Sequence, residues 1–91
     1  MPRAARPTPE ALSPAPFPTR PSDDPVAEVA RRFARALKAE TDATSIRAVA
    51  DASGINHSTL ISILKGRAWP DMQTIAKLEL GLETDLWPGR S

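Results

Sequence analysis

One face of a helix predicted over residues 57–64 carries small hydrogen-bonding groups that could contact the edges of bases. This face consists of His57, Ser58, Ile61 and Ser62. The apolar residues Leu60, Ile63 and Leu64 repeat at helical spacing, so they would face a core and leave the first set exposed. Base edges in the major groove of DNA present donors, acceptors and the thymine methyl group. An exposed face of small polar residues with one apolar residue suits such a groove.

The adjacent histidine and serine could also suggest catalysis, in which a histidine base activates a hydroxyl group. Adjacent residues of a helix point about 100° apart, however, and neither a second base nor an orienting acid follows His57 and Ser58 at a useful spacing. The chain has a single histidine and no cysteine, which leaves no plausible zinc site. We therefore expect neither an enzyme nor a bound metal, cofactor or small-molecule ligand.

A tight corner precedes the predicted helix. Gly54 can leave a helix through the left-handed conformation that costs glycine little, and Ile55 would then fill the corner. Asn56 is a favourable N-cap for the helix that follows. Another short helix, over about residues 46–52 and capped by Ser45, is expected before the corner. Two short helices joined in this way form a helix-turn-helix motif.

A longer helix is expected before the motif. Ser22 or Asp23 can cap it, and its pattern continues to about Ala39, before a loop over residues 41–44. Its apolar stripe consists of Val26, Val29, Phe33 and Leu37. Its basic residues are Arg31, Arg32, Arg35 and Lys38. Because these cations lie largely away from the apolar stripe, we expect them to form a solvated face rather than a second DNA site.

Two further helical segments are expected after the motif. Pro70 bars continuation of a helix, and Asp71 can cap the next one. That helix carries Met72, Ile75, Leu78 and Leu82 on one side. Residues 85–87 could form a last short turn of helix, and Trp69 and Trp87 are expected to pack on the core rather than stack on bases. No alternating strand pattern competes, so the sequence predicts an all-α fold.

The first 25 residues differ in composition from the rest of the chain. They hold eight of the ten prolines, with only Leu12 and Phe17 as large apolar residues. Because such a segment cannot build a core, we expect residues 1–25 to be a disordered proline-rich tail and residues 26–88 to form a single domain. The arginines of the tail, which could reach DNA, are Arg3, Arg6 and Arg20.

Length and charge limit the classes of function. A chain of 91 residues with a formal net charge of +1 builds one small core, and any electropositive face must come from the placement of its charges. No apolar run approaches the length that spans a membrane, and the N-terminus lacks the apolar region of a secretory signal. We therefore expect a cytoplasmic protein with no membrane partner.

From about residue 26 to residue 88, the chain resembles the helix-turn-helix domain of lambda-type phage repressors, Cro proteins and the Xre group of bacterial regulators. The residues that carry the resemblance are Leu37, Ser45 to Ala50, Ala52 to Asn56, Ser58 to Leu60, Ile63, Gly66 and Pro70. The ending, from Thr74 to Glu79 and at Leu86 to Pro88, is similar to a version found in actinobacterial and actinophage regulators.

The resemblance implies a five-helix bundle in which the third helix enters the major groove and the second crosses the DNA backbone. His57, Ser58 and Ser62 would then face bases, with Ile61 close to a thymine methyl group. By the same resemblance, the positions near phosphates are Ser45, Asn56, Lys65 and Arg67. The chain departs from the family pattern at Ile46, where many relatives have a bracing glutamine, and at Glu83, where a glycine usually follows the fourth helix.

These features predict a sequence-specific transcriptional regulator that binds double-stranded DNA. The preferred prediction is a repressor that occupies an operator, either a phage immunity repressor or a host regulator. A homodimer is expected, because one such module buries little surface and two half-sites supply useful affinity. Two alternatives stay open. Lys65 and Arg67 could be ordinary solvated charges at a helix C-terminus, and the bundle could serve as an antitoxin or adaptor that binds another protein.

Overall fold

Four α-helices organise the structure, a computed structural model that describes residues 7–90. The helices are α1 (Pro25–Ala43), α2 (Ile46–Ser53), α3 (His57–Leu64) and α4 (Met72–Leu82). Residues 7–90 contain no strand, so the predicted all-α class is confirmed, whereas the expectation of a fifth helix is wrong. Among the described residues, no helix has the length and apolar character needed to cross a membrane.

Each helix begins at a polar side chain that accepts hydrogen bonds from its first turn. These caps are Asp24 for α1, Ser45 for α2, Asn56 for α3 and Asp71 for α4. The last three caps match the prediction. For α1 the cap is Asp24 instead of Ser22 or Asp23, because Pro25 takes the first helical position, where its missing N–H costs nothing.

α1 continues to Ala43, past its predicted end. The segment over residues 41–44, predicted as a loop, supplies most of the last helical turn instead. Lys38 Nζ lies 2.8 Å from Asp42 Oδ2, and the hydroxyl group of the buried Thr41 donates to the carbonyl oxygen of Lys38 at 2.9 Å. An ion pair between residues four apart supports a helix, so these contacts favour helix over loop.

The core lies between α1, α2 and α3 and is closed by α4 and by one residue of the C-terminal segment. Its buried members are Phe33, Leu37, Val49, Ala50, Leu60, Ile63, Leu78 and Leu86. The short α2 packs against each of the other three helices. α2 and α1 together therefore fix the placement of α3, whose inner side is formed by Leu60 and Ile63.

Two helix backbones come very close at Gly81 in α4. A Cβ atom at this position would lie 2.5 Å from the carbonyl oxygen of Ala52 and 2.7 Å from the Cα atom of Ser53. Both of these are backbone atoms at the C-terminal end of α2. Glycine is needed at this position because any side chain would separate the two helices.

Two residues predicted for the apolar stripes lie at the surface. Met72 is 85% exposed and Val26 is 67% exposed. Met72 lies about 180° from Gly81 around α4, and the side of α4 that contains Gly81 is the one that meets α2. The fully buried residue of α4 is Leu78. The apolar surface of α4 therefore continues around the helix to its solvent side.

The segment after α4 has no regular secondary structure, and residues 85–87 do not form the predicted turn of helix. Glu83 ends α4 in the left-handed conformation, with φ 53° and ψ 43°. Glu79 Oε2 then accepts hydrogen bonds from the backbone N–H groups of Leu86 at 2.7 Å and Trp87 at 2.8 Å. These two bonds attach the C-terminal segment to α4. The N–H groups of Trp87 and Leu86 lower the pKa of Glu79.

Residues 7–24, here called the N-terminal strap, pack against the helices although they form no helix themselves. Pro9 and Pro18 are buried, and the indole N–H of Trp69 donates to the carbonyl oxygen of Pro7 at 2.9 Å. Proline offers an apolar ring and a carbonyl acceptor but no N–H. Side chains of the helical domain can therefore satisfy the polar groups of the strap without regular secondary structure.

The structure thus differs from the expectation of a disordered tail over residues 1–25. From residue 7 onward the segment is attached to the domain, because its prolines bury their rings and its carbonyl groups find donors. Arg20 is exposed. Residues 1–6, with the two arginines Arg3 and Arg6, lie outside the described residues.

Candidate nucleic-acid interface

The predicted corner between α2 and α3 is present. Gly54 follows α2 with φ 66° and ψ 30°, which is the left-handed conformation. The N–H of Ile55 donates to the carbonyl oxygen of Ala50 at 3.1 Å, so the chain turns back across the end of α2 and satisfies a carbonyl group there. Asn56 then caps α3, which has the predicted bounds.

The four predicted base-contacting residues lie on the open side of α3. His57 and Ser58 are exposed, and Ile61 and Ser62 are partly buried. On the inner side, Leu60 is 0% exposed and Ile63 is 3% exposed. None of the four residues belongs to the buried core. Their contact with bases stays a prediction, but the core does not depend on their side chains.

A hydrogen bond within the cap decides what the hydroxyl group of Ser58 can offer. Asn56 Oδ1 accepts from the N–H of Ser58 at 2.9 Å and from its hydroxyl group at 2.6 Å. The hydroxyl hydrogen is therefore used, and the oxygen of Ser58 has lone pairs left to accept. In this state Ser58 suits the amino group of adenine or cytosine, and Asn56 has its amide N–H groups left to donate. This coupling was not predicted from the sequence, although an asparagine cap followed two residues later by serine is a signal for it.

The predicted phosphate contacts lie at the ends of α2 and α3. All four residues are exposed: Ser45, Asn56, Lys65 and Arg67. Ser45 Oγ accepts from the N–H of Ala48 at 3.0 Å, so the hydroxyl hydrogen of Ser45 is left to donate. A donor beside the positive N-terminal end of a helix suits a phosphate oxygen.

Lys65 and Arg67 flank the glycine that follows α3. Gly66 has φ 73°, its N–H donates to the carbonyl oxygen of Ile63 at 3.1 Å, and the N–H of Arg67 donates to that of Ser62 at 2.9 Å. These two hydrogen bonds form a Schellman motif, which fixes the backbone that carries both cations. Within residues 7–90, neither cation has an ion-pair partner, so both charges face solvent unpaired by the described acidic groups.

Arg47 was not predicted to contact DNA. It is exposed in the first turn of α2, close to the cap Ser45. A cation two residues after a predicted cap was the available signal. Arg31, by contrast, was expected on a solvated face and is only 5% exposed. The remaining basic residues of that helix are exposed as predicted: Arg32, Arg35 and Lys38.

Arg31 is buried with each of its three guanidinium nitrogen atoms hydrogen-bonded. Its Nε and Nη2 atoms each lie 2.7 Å from a carboxylate oxygen of Glu28, and Nη1 donates to the carbonyl oxygen of Pro18 at 3.0 Å. The hydrogen bonds from Arg31, with smaller help from the N–H of Ser22 and the side chain of Arg32, lower the pKa of Glu28 to about 2. Arg31 is therefore part of the packed domain and is not a surface cation.

The two tryptophans have different environments. Trp69 is partly buried and its indole N–H is bound, in line with a packing role. Trp87 is 53% exposed, so its predicted role in closing the core is wrong, and the neighbouring Leu86, 5% exposed, fills that place. Residues 7–90 bring no three His, Cys, Asp or Glu side chains together in a way that could hold a metal ion.

Comparison with known proteins bears on the same part of the chain. Residues 44–86 match a family model described as helix-turn-helix. The match includes the corner at Gly54, all of α3 and the two cations that follow it, but neither α1 nor the N-terminal strap. No curated protein and no solved structure matches the chain.

Proposed function

Residues 44–86 belong to the lambda repressor/Cro/Xre-like helix-turn-helix family of DNA-binding regulators, and from this premise we propose that the protein is a sequence-specific transcriptional repressor. It would act by occupying an operator and excluding polymerase. A phage immunity repressor and a host regulator of the Xre type would both work in this way. The observation that carries the proposal is the open polar face of α3 beside the corner at Gly54.

In the proposed complex, α3 lies in the major groove and α2 crosses the DNA backbone. His57, Ser58 and Ser62 contact base edges, and Ile61 packs against a thymine methyl group. The phosphate contacts set the register of docking and come from Ser45, Asn56, Lys65 and Arg67. Two unpaired cations at one end of α3 and hydrogen-bond donors at the helix N-termini support this orientation.

The repressor is proposed to bind as a homodimer, because a single small module buries too little surface for tight binding and two half-sites multiply the contacts. Exposed apolar side chains on α4 and beside it support this proposal. Met72 is 85% exposed, Leu80 is 79% exposed and Trp87 is 53% exposed. Their burial against a second copy would use surface that the core does not need.

The experiment that tests the function is selection of bound sequences from a random DNA pool, with the full chain as bait. We expect one enriched motif, palindromic if a dimer binds, and a copy of it upstream of the gene for the protein itself. A His57→Ala, Ser62→Ala double variant is the matched control, because both residues lie outside the core. Failure of the full chain to enrich any motif contradicts the proposal.

A second candidate function is that of an antitoxin or adaptor that binds another protein. A groove of about 510 Å³ beside the exposed apolar residues favours it, and its lining is Pro70, Met72, Ile75, Ala76, Glu79 and Trp87. Under this alternative, the chain co-purifies from its own host with one protein in a fixed ratio, and Met72→Asp abolishes the association. DNA selection without a motif, together with such a partner, would favour the alternative.

A further inference from the structure

The N-terminal strap contacts two parts of the helical domain. One attachment is the loop after α3, and the other is α1. The strap and α1 both lie outside residues 44–86, which match the family model. The role of the strap in DNA binding is therefore inferred from the contacts that this chain makes.

The first attachment lies between the two cations proposed to bind phosphate. The N–H of Glu10 donates to the carbonyl oxygen of Gly66 at 2.9 Å. The ring of Phe17 covers the same residue, since a Cβ atom on Gly66 would lie 2.8 Å from two carbon atoms of that ring. The hydrogen bond from Trp69 to Pro7 adds a third contact a few residues further along the loop.

The second attachment depends on a buried charge. Arg31 is 5% exposed, and burial of a guanidinium group is costly unless the group is paired and hydrogen-bonded. Glu28 takes two of these donors and the strap supplies the carbonyl oxygen of Pro18 for a third. Glu28 also accepts from the N–H of Ser22 in the strap at 2.8 Å. The strap therefore contributes one acceptor to Arg31 and one donor to Glu28.

We propose that the N-terminal strap is a positioning element of the DNA interface, which fixes the backbone between Lys65 and Arg67 and so directs both cations toward phosphates. This inference rests on the proposed function. The N–H of Gly66 is fixed from within α3 by the Schellman motif, and its carbonyl group is fixed from outside by the strap. Because the two peptide groups that flank the Gly66 Cα atom are both held, the cations enter the complex with little backbone freedom to lose.

The attachment itself is tested by a double-mutant cycle between Phe17 and Gly66. Gly66→Ala adds left-handed strain and a clash with the ring, whereas Gly54→Ala adds only the strain, because nothing lies within 4 Å of a Cβ atom there. We expect Gly66→Ala to reduce the folding equilibrium constant about ten-fold more than Gly54→Ala. Most of this excess should disappear in a Phe17→Ala background, where Glu10 Cβ, 3.0 Å from the added atom, is the remaining close contact. Equal effects of the two glycine substitutions in the unaltered chain would show that the strap does not cover Gly66.

The positioning role is tested with a DNA duplex that carries the selected site. Phe17→Ala should keep the helical circular dichroism, lower the affinity about three- to ten-fold and make the slope of log affinity against log salt shallower by about one, the value of one lost phosphate contact. Pro14→Ala is the matched control, because Pro14 is an exposed residue of the same strap. In a Lys65→Ala, Arg67→Ala background, Phe17→Ala should leave the slope unchanged.

The outcomes separate the two proposals. If the unaltered chain binds DNA and Phe17→Ala leaves both affinity and salt slope unchanged, the positioning role is overturned and the proposed function stands. If the unaltered chain binds no DNA duplex, the proposed function is overturned and the positioning role with it. A shallower slope with Phe17→Ala, absent with Pro14→Ala, supports the proposal, since a loss of global stability alone does not change the number of phosphate contacts.

Discussion

Replacement of Gly81 by alanine should destabilise the domain, although the same change stabilises most exposed helices. In a helix interior, alanine is favoured over glycine by about 0.5 to 1 kcal/mol, because glycine loses more conformational freedom on folding. Here the added Cβ atom would lie 2.5 Å from the carbonyl oxygen of Ala52, 2.9 Å from its carbonyl carbon and 2.7 Å from Ser53 Cα. All three atoms belong to the backbone of α2, so no side chain can rotate away to make room.

The expected magnitude follows from these opposing effects. Forcing an extra carbon atom into a packed interior costs about 1 to 3 kcal/mol, and contact with an adjacent backbone places Gly81→Ala toward the upper end of that range. After subtraction of the gain in helix propensity, we expect a net loss of about 1 to 2 kcal/mol in the free energy of unfolding.

Urea unfolding followed by circular dichroism measures this loss. Ala76→Gly is the matched control on the same helix, because Ala76 is exposed and should show only the propensity cost of about 1 kcal/mol. An increase in stability for Gly81→Ala would refute the reasoning, because it would mean that α4 lies farther from α2 than described.

Replacing both Lys65 and Arg67 by alanine should weaken binding to all DNA sequences alike and make the salt slope shallower by about 1 to 2 per protomer; an unchanged slope in salt titrations would identify the pair as solvated charges. His57→Ala should cost about 1 to 3 kcal/mol on the selected site and much less on random DNA; equal losses in competition binding at fixed salt would exclude sequence reading by this residue. The pKa of Glu28 falls from 4.5 to about 2 on folding, so the stability it contributes is present above its unfolded value and is lost as pH falls toward 2. We therefore expect the unaltered chain to lose about 1 to 2 kcal/mol more than Glu28→Gln between about pH 5 and pH 2.5, allowing for partial exposure of the carboxylate; parallel pH profiles from urea unfolding would contradict this.

The motif could be predicted from the sequence because its signals are local. Gly54 and Asn56 lie at the two sides of the corner, and Gly66 lies two residues beyond the end of α3. Each acts through hydrogen bonds to residues of the same helix end. The exposed and buried faces of α3 follow from helical geometry alone, so the exposure of His57 and Ser58 could be anticipated as well.

The remaining differences arise from contacts between residues far apart in the sequence. The indole N–H of Trp69 donates to the carbonyl oxygen of Pro7, 62 positions earlier. The composition of the N-terminal strap predicts disorder because it contains no sign of this distant donor. In the same way, the carboxylate of Glu79 binds two backbone N–H groups of the C-terminal segment, seven and eight residues later. No short sequence pattern predicts either contact.

The placement of the two tryptophans gives the protein a built-in optical signal. The chain contains no tyrosine, so its ultraviolet emission comes from the indole rings of Trp69 and Trp87. Trp87 is 53% exposed to water, whereas Trp69 is partly buried with its indole bound to Pro7. Detachment of the strap would expose Trp69 and shift its emission to longer wavelength. The state of a segment remote in sequence can therefore be followed in the unlabelled protein, in real time and during titration with DNA.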